Sequence, residues 1–388
     1  IDDIDPLVVA YFETGTGWTN IGQGGSNGTP AAGDITSVED FATGGFFTIG
    51  WEYIDLTWTG SSGTSWTNPA NWDDGTETPK ATTNIIIPES MPDYPVISAD
   101  AETFDLNIHN GATLTVQDGQ ILDVKGNMDI VAGGELILTD AGELYLRGDL
   151  TNAGTFTSGT GSTISLNGTT AQSADNFDAY NLMIGGSDVK TLTGTVNINN
   201  NLNISGDLDA GTSTITLSGN LDLTGTLDEG TSDVTFNGTA QQLITGNKQV
   251  VFYDLTIDNT YATAPQIDVQ TNVLVNGALG LNKGVVETSS SGELLTLGAS
   301  ATSDEGSVDS YISGPMRKDG VADFIFPIGK NDRWARLAIT DMSGGASGVF
   351  EAEYFDDGFG TYGPVSGSID HVSIEEYWDL DRSSGNAQ

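Results

Sequence analysis

The residues that could carry out nucleophilic or acid–base chemistry are few and widely spaced. Histidine occurs only at His109 and His371, and neither has a nucleophile pattern beside it, so a Ser-His-Asp triad finds no support. Cysteine is absent, which removes thiolate nucleophiles, thiolate metal sites and disulfides. The sequence therefore predicts a protein that is not an enzyme.

One enzymatic alternative remains open. Polysaccharide lyases and hydrolases occur on parallel β-helices, and such chemistry needs carboxylates that converge on one groove, often with Lys or Arg. The central region has few basic residues, namely Lys125, Arg147, Lys190, Lys248 and Lys283. A carbohydrate-binding or polysaccharide-cleaving β-helix is the alternative function, and a groove with at least two converging carboxylates would favour it.

Clustered carboxylates are the residues best suited to a metal ion. Calcium takes oxygen ligands, and the closest acidic groups near the two ends are Asp2, Asp3 and Asp5, and Asp379 and Asp381. None of them has the spacing of an EF-hand loop, so solvated acidic turns are the competing interpretation. The sequence requires no cofactor, and calcium is the cation that these groups would bind.

The overall charge limits the partners. Acidic residues number 54 against 12 basic ones, for a formal charge of -42, which repels nucleic acid and anionic headgroups. No apolar stretch reaches the ~20 residues of a membrane helix, and the first residues lack the basic region of a signal peptide. We expect no nucleic-acid partner and no membrane insertion, and we interpret the chain as a mature or internal part of a secreted protein.

The elements that must position these residues are strands. Glycine occurs 51 times, and Thr, Asn, Asp and Ser separate short alternating runs such as Leu114–Val116, Leu136–Leu138 and Ile215–Leu217. Apolar residues recur at i, i+2, with no stretch of helical spacing. The predicted fold class is all-β.

The middle of the chain is repetitive. Between residues 103 and 305, strands this short and this frequent predict a right-handed parallel β-helix (solenoid), in which stacked Asn and Thr satisfy the turns. Residues 164–172 are matched by residues 234–241, as expected if several coils were duplicated together. The predicted domains are the C-terminal part of a β-sandwich (1–53), a Trp-rich opening segment of the solenoid (54–102), the β-helix (103–305) and the N-terminal part of a second β-sandwich (306–388).

Three groups of motifs resemble large secreted surface proteins of Bacteroidetes, exported by the gliding-associated (type IX) route and including giant adhesins. Thr57-Trp58-Thr59-Gly60 with Asn71-Trp72 is similar to the segment that opens their β-helices. Phe324-Ile325-Phe326-Pro327-Ile328-Gly329 is similar to the segment that follows those β-helices, and Tyr377-Trp378-Asp379-Leu380 to a later strand. The resemblance implies an extracellular or cell-surface adhesin with tandem repeats.

In such proteins the Trp-Asp strand is followed by further strands of the same sandwich, ending in a Phe-Thr-Ile-Gly strand, and Phe46-Phe47-Thr48-Ile49-Gly50 looks like that missing half. The chain is therefore expected to be a repeat cut out of register, which joins other copies head to tail in a covalent tandem or a noncovalent filament. Surface polysaccharide is a further expected partner. The expected interface residues are Phe46, Phe47, Ile49, Tyr377, Trp378, Leu380, Arg317, Lys318 and Arg333; for the basic residues, pairing within the chain is the alternative.

Overall fold

The structure, a computed structural model, describes residues 7–13, 17–22, 25–29, 32–37, 46–51, 53–288, 292–342 and 348–384. These residues form an all-β protein whose centre is a right-handed parallel β-helix of about 11 turns, which confirms the predicted fold class. Pro69–Asn71 is a short 3-10 helix. In the described ranges, no helix is long and apolar enough to cross a membrane.

The coils of the solenoid stack into three faces of parallel strands. Hydrogen-bonded ladders join successive coils, and two bent strands, Gln172–Ala179 and Lys190–Ile198, contribute to both the first and the second face. The first face contains Ile54–Thr57, Thr83–Ile87, Leu106–Ile108, Met128–Ile130, Leu150–Asn152, Asp207–Asp209, Thr226–Asp228, Val250–Phe252, Val273–Val275, Leu295–Leu297 and Met316–Asp319. The second face contains Val96–Ile97, Thr113–Val116, Glu135–Leu138, Thr155–Ser158, Thr214–Leu217, Asp233–Phe236, Asp254–Asp258, Ala278–Lys283 and Thr302–Ser303. The third face contains Ala101–Thr103, Ile121–Val124, Glu143–Leu146, Thr163–Leu166, Asn181–Ile184, Leu202–Ile204, Leu221–Leu223, Gln242–Gly246, Ile267–Val269, Val286–Thr288, Ile312–Ser313 and Ile328–Lys330. The short strand Arg333–Trp334 pairs antiparallel with Ile328–Lys330 at the edge of this face.

Alternation along each strand builds the core. Leu114 and Val116 are fully buried, and the parallel register places Leu136 and Leu138 above them in the next coil. Because side chains alternate between faces of a strand, the intervening Thr and Asp residues point outward. Each coil therefore adds one layer of aliphatic side chains to a continuous core.

Asparagine and aspartate side chains tie successive coils together at the turns. The Asp105 carboxylate accepts a hydrogen bond from the backbone N–H of Asn127 (2.7 Å), and the Asn127 side chain accepts one from Asp149 N–H (2.9 Å). Asn201 and Asn220 continue the same arrangement in later coils, accepting from the N–H of the following coil at 3.0 and 2.8 Å. These ladders satisfy backbone donors at corners, where no strand can do so.

Two buried glutamines bridge coils at other corners. The Gln172 amide donates to the carbonyls of Leu146 and Gly148 and accepts from Gly168 N–H. Gln242 makes the same set of bonds to Leu217, Gly219 and Gly238. Gln172 is therefore equivalent in structure to Gln242, whereas the sequence match of residues 164–172 with 234–241 aligned it with Gln241. Gln172 starts a first-face strand, and Gln242 starts a third-face strand. The sequence repeat therefore corresponds to a shared corner structure, and its two copies do not lie above each other on the same face.

Three tryptophans close the N-terminal end of the solenoid. Trp58, Trp66 and Trp72 are buried, and Trp72 meets each of the other two edge to face with ring centroids 5.0 Å apart. The Trp58 indole N–H donates to Asp93 O (2.7 Å), and that of Trp72 donates to Trp66 O (2.9 Å). We call these three residues the tryptophan cap.

The C-terminal end is organised differently from the predicted domains. Met316–Asp319 and Ile328–Lys330 still pair in parallel with coil strands, so the solenoid continues beyond residue 305, and parallel pairing already begins at Ile54–Thr57. The antiparallel strand pair of Phe324–Phe326 and Leu337–Ile339 buries Phe324 and Phe326 over the last coils. The aromatic residues that suggested a separate sandwich core here belong partly to this end cover.

Antiparallel sheets flank the solenoid on both sides. At the N-terminal side, Leu7–Glu13 lies between Gly17–Asn20 and Phe46–Trp51, and Gly25–Thr29 pairs with Ala32–Thr36. At the C-terminal side, Val349–Phe355 pairs antiparallel with Met316–Asp319 and then with Tyr377–Ser384. The first face of the solenoid thus continues directly into an antiparallel sheet.

Two carboxylates on the outside of the coils differ in their effect on folding. Burial disfavours the charged form of Asp123, but hydrogen bonds from Arg147 (2.9 and 2.8 Å) and Lys125 (2.6 Å) outweigh it and hold the pKa of Asp123 below its usual value. Burial, together with the charge of Asp254 on the next coil, raises the pKa of Asp233. Ionised Asp123 therefore stabilises the fold, and ionised Asp233 opposes it.

Substitution of these two residues should change stability in opposite directions. At pH 7 we expect Asp123→Asn to lower the free energy of unfolding by about 1–3 kcal/mol, because charged hydrogen bonds are lost, and Asp233→Asn to raise it slightly. The Asp123 contribution is complete above the unfolded-state pKa and disappears as the pH falls through the lower folded-state pKa. The Asp233 penalty exists above its raised folded-state pKa and disappears as the pH falls towards the unfolded-state value. Urea titrations of both variants from about pH 7 to about pH 3 test this; shifts of the same sign at pH 7 would contradict it.

Candidate functional site

The C-terminal sheet ends in an open strand. Tyr377–Ser384 pairs with Val349–Phe355 on one side and with no other strand among the described residues. Trp378 and Leu380, two predicted interface residues, are 42% and 41% exposed on this strand. The ring of Tyr377, a third, stacks on Phe355 at 4.5 Å. The strand therefore presents unpaired backbone groups and apolar side chains together.

A long exposed loop precedes this strand. Residues 356–376 connect Val349–Phe355 to Tyr377–Ser384, a length at which structureless loops are uncommon and usually functional. Large apolar side chains along it are exposed, among them Phe359 at 67% and Ile374 at 69%. Apolar surface of this extent typically marks an interaction site.

The N-terminal sheet also ends in an open strand. Phe46–Trp51 pairs with Leu7–Glu13 and with no further strand in the described ranges. Phe46 and Phe47 are 69% and 44% exposed, and Phe47 contacts Tyr11 with ring centroids 5.1 Å apart. Ile49 lies in the same strand, but its side chain is outside the described part of the chain. Two of the predicted aromatic interface residues are thus on an open edge.

The basic residues predicted for the interface are used within the chain. Lys318 is 3% exposed, its ammonium donates to the carbonyls of Gly298, Ala299 and Asp319, and burial lowers its pKa. Arg317 pairs with Glu351 (3.0 Å) and Arg333 with Glu376 (3.6 Å). Each of these three cations thus has a partner within the chain, which is the alternative of intramolecular pairing.

The candidate calcium ligands form two groups, and only the C-terminal group lies within the described residues. Asp2, Asp3 and Asp5 lie outside the described residues. Asp379 and Asp381 lie on the open strand Tyr377–Ser384, where the register sets them opposite Glu353 and Glu351. Burial, with a further contribution from the charge of Asp379, raises the pKa of Glu353 although Lys330 opposes this. Within the described ranges, no three acidic or histidine side chains are grouped as metal ligands would be.

A cleft that the sequence did not predict lies between the second and third faces near the C-terminal end. It has a volume of about 400 Å³, and its lining includes Tyr261, Gln266, Lys283, Asp309 and Asp332. These residues lie on four separate segments, so no local motif joins them. The signal that could have revealed the cleft is the unequal length of successive turns between strands.

Comparison with known proteins gives one partial match. Residues 57–175 match the model of a family described as a domain of unknown function (DUF8693). This range begins at the tryptophan cap and covers the first coils, and it lies outside both open edges and the cleft. No curated protein and no solved structure matches the chain. The chain is thus similar, over its cap and first coils, to a family whose function is not known.

Proposed function

We propose that the protein is a structural and adhesive extracellular repeat or filament subunit of a bacterial surface protein, whose copies join head to tail. The observation that carries this proposal is the pair of open antiparallel edges, Phe46–Trp51 before the first coil and Tyr377–Ser384 after the last coil. Both edges display exposed aromatic or aliphatic side chains.

The solenoid keeps the two edges apart. About 11 turns at ~4.8 Å per turn give a spacer of roughly 50 Å, so the edges of one molecule are held at opposite ends. An exposed apolar strand edge readily pairs with another chain. Since the two edges differ, contact between copies is heterologous and propagates along the axis.

The joint would be formed by strand pairing and apolar contact. Phe46 and Phe47 on one copy would meet Trp378 and Leu380 on the next, with the loop of residues 356–376 supplying further apolar surface. The basic residues Arg317, Lys318 and Arg333 have partners within the chain, so the proposed joint does not depend on them. The extracellular assignment is supported by the absence of cysteine and by the family resemblance.

The enzymatic alternative has one observation in its favour. Asp309 and Asp332 both line the cleft, so two carboxylates belong to one groove, as a glycosidase or lyase requires. Both residues are exposed, whereas partial burial is the usual means of preparing a carboxylic acid for catalysis. We therefore propose a non-enzymatic role, in which the cleft binds and does not cleave.

The mass of the native protein distinguishes a covalent tandem of copies from a noncovalent filament. A denatured mass much larger than 40.5 kDa is expected for a covalent tandem protein, and a mass near that value with filaments before denaturation for separate subunits. A monomer of that mass without polymers would contradict the joining model.

Substitution at the open edge tests the joint directly. We expect Leu380→Lys to weaken self-association of the isolated chain at least about tenfold, because a charge on an edge strand opposes edge-to-edge pairing. Met183→Lys is the matched control, since Met183 is 46% exposed on a central coil. Light scattering against protein concentration measures the effect; equal loss in both variants, or none in Leu380→Lys, would argue against the edge as the joint.

A further inference from the structure

The cleft arises from unequal corners. Three successive corners between the second and third faces contain eight, two and eight residues (259–266, 284–285 and 304–311). Earlier corners between the same faces contain one to five residues. The short corner therefore lies recessed between two longer loops, and Asp332, in the turn between Ile328–Lys330 and Arg333–Trp334, also lines the cleft. Such a notch follows from chain length alone and is not filled by a side chain.

Hydrogen bonds fix the walls and the floor of the cleft. Buried Asn259 donates to Ala240 O (2.8 Å) and accepts from Tyr261 N–H (2.7 Å), and Gln266 bridges Tyr261 O (2.9 Å) and Val285 N–H (2.7 Å). On the opposite wall, Gly284 N–H donates to Asp309 O (2.9 Å). Buried Ser310 donates to Gly284 O (3.1 Å). The cleft is therefore preformed, as ligand pockets usually are.

Four polar residues that line the cleft make no side-chain hydrogen bond or ion pair among the described residues. Within the described ranges, the Tyr261 hydroxyl, the Lys283 ammonium and the carboxylates of Asp309 and Asp332 form no hydrogen bond or ion pair. Three other lysines of the coils do have such a partner: Lys125 pairs with Asp123, Lys190 donates to Asp188 O and Lys248 to Gly225 O. The cleft thus brings one ammonium and two carboxylates that are not engaged within the chain into one lining.

We propose that this cleft binds a short segment of a neutral polysaccharide. A half-buried tyrosine ring offers an apolar face for a sugar ring, while the ammonium and the carboxylates offer donors and acceptors for hydroxyl groups. The volume of about 400 Å³ lies within the ~300–1,000 Å³ of small-ligand sites. Uronic-acid and sulfated polymers are disfavoured, because the carboxylates outnumber the ammonium and the chain carries a charge of -42.

Calorimetric titration of the intact chain tests the proposal. The probes are gluco-, manno- and galacto-oligosaccharides, with oligogalacturonate as the anionic comparison. We expect at least one neutral probe to bind and oligogalacturonate not to bind. Tyr261→Ala and Asp309→Asn should each weaken that binding about tenfold or more, the effect of losing roughly 1.4 kcal/mol.

Tyr253→Ala is the matched control, because Tyr253 is 37% exposed one strand before the loop of residues 259–266 and does not line the cleft. Its binding should equal that of the unchanged chain. Absence of binding by every neutral probe, equal losses in Tyr253→Ala and Tyr261→Ala, or release of shorter saccharides would each overturn the proposal. Failure of the cleft proposal would not count against the proposed joint between copies, since Leu380→Lys tests the open edge independently of the cleft.

Discussion

Replacing Trp72 with alanine should lower the free energy of unfolding by about 3–5 kcal/mol, the usual cost of truncating a large buried aromatic residue. Trp72 is 2% exposed and is the central ring of the tryptophan cap, in edge-to-face contact with both Trp58 and Trp66. Its loss opens a cavity and also removes the donor to Trp66 O. Because each coil of a solenoid is stabilised mainly by its neighbours, terminal caps protect the whole stack.

Urea unfolding followed by tryptophan fluorescence and circular dichroism would measure this change. Trp18→Ala is a suitable control, since Trp18 is 56% exposed in the N-terminal sheet, and its replacement should cost less than about 1 kcal/mol. A similar loss in both variants would mean that the cap contributes no more than an exposed indole.

Replacing Gln242 with leucine should also be severe, on the order of 3–5 kcal/mol, although the side chains are similar in size. The Gln242 side chain is fully buried and donates to the carbonyls of Leu217 and Gly219 while accepting from Gly238 N–H and the Asn259 side chain. Leucine would leave these groups buried without partners, and each such group typically costs about 1–3 kcal/mol.

Its neighbour provides the control. Gln241 is exposed and donates to Pro265 O at 3.1 Å, so Gln241→Leu should change stability by no more than about 1 kcal/mol. The same urea titration applies to both variants. If Gln242→Leu were as stable as the unchanged chain, the buried bridge between coils would have no energetic role.

The fold class followed from the sequence because one signal dominates the chain. Alternation in runs such as Leu114–Val116 gives strands, and frequent turn residues keep them short, so stacking in parallel coils is the arrangement that buries the alternating apolar side chains. The domain boundaries are harder to predict from the sequence. Phe324 and Phe326 have the density of a sandwich core in sequence, yet they cover the end of the solenoid, and only long-range pairing reveals this.

The candidate sites were predictable to different degrees. The sequence predicts interface residues on Phe46–Trp51 and Tyr377–Ser384 from their aromatic strand motifs, which are local features, and both are edge strands among the described residues. The burial of Lys318 within the chain is not predictable from the sequence, because the stacking of coils brings the carbonyls of Gly298 and Ala299 to its ammonium. The cleft depends on Tyr261, Lys283, Asp309 and Asp332, which the fold assembles from separate corners.

The two buried glutamines bear on how the corners of the solenoid are closed. Gln172 and Gln242 make the same hydrogen bonds in turns that lead to different faces. This glutamine-bridged corner therefore needs two coils in register, but it is not tied to one face of the solenoid. A corner of this kind can therefore join different pairs of faces while the hydrogen bonds between neighbouring coils stay the same, so the position of a turn around the axis does not dictate which side chain closes it.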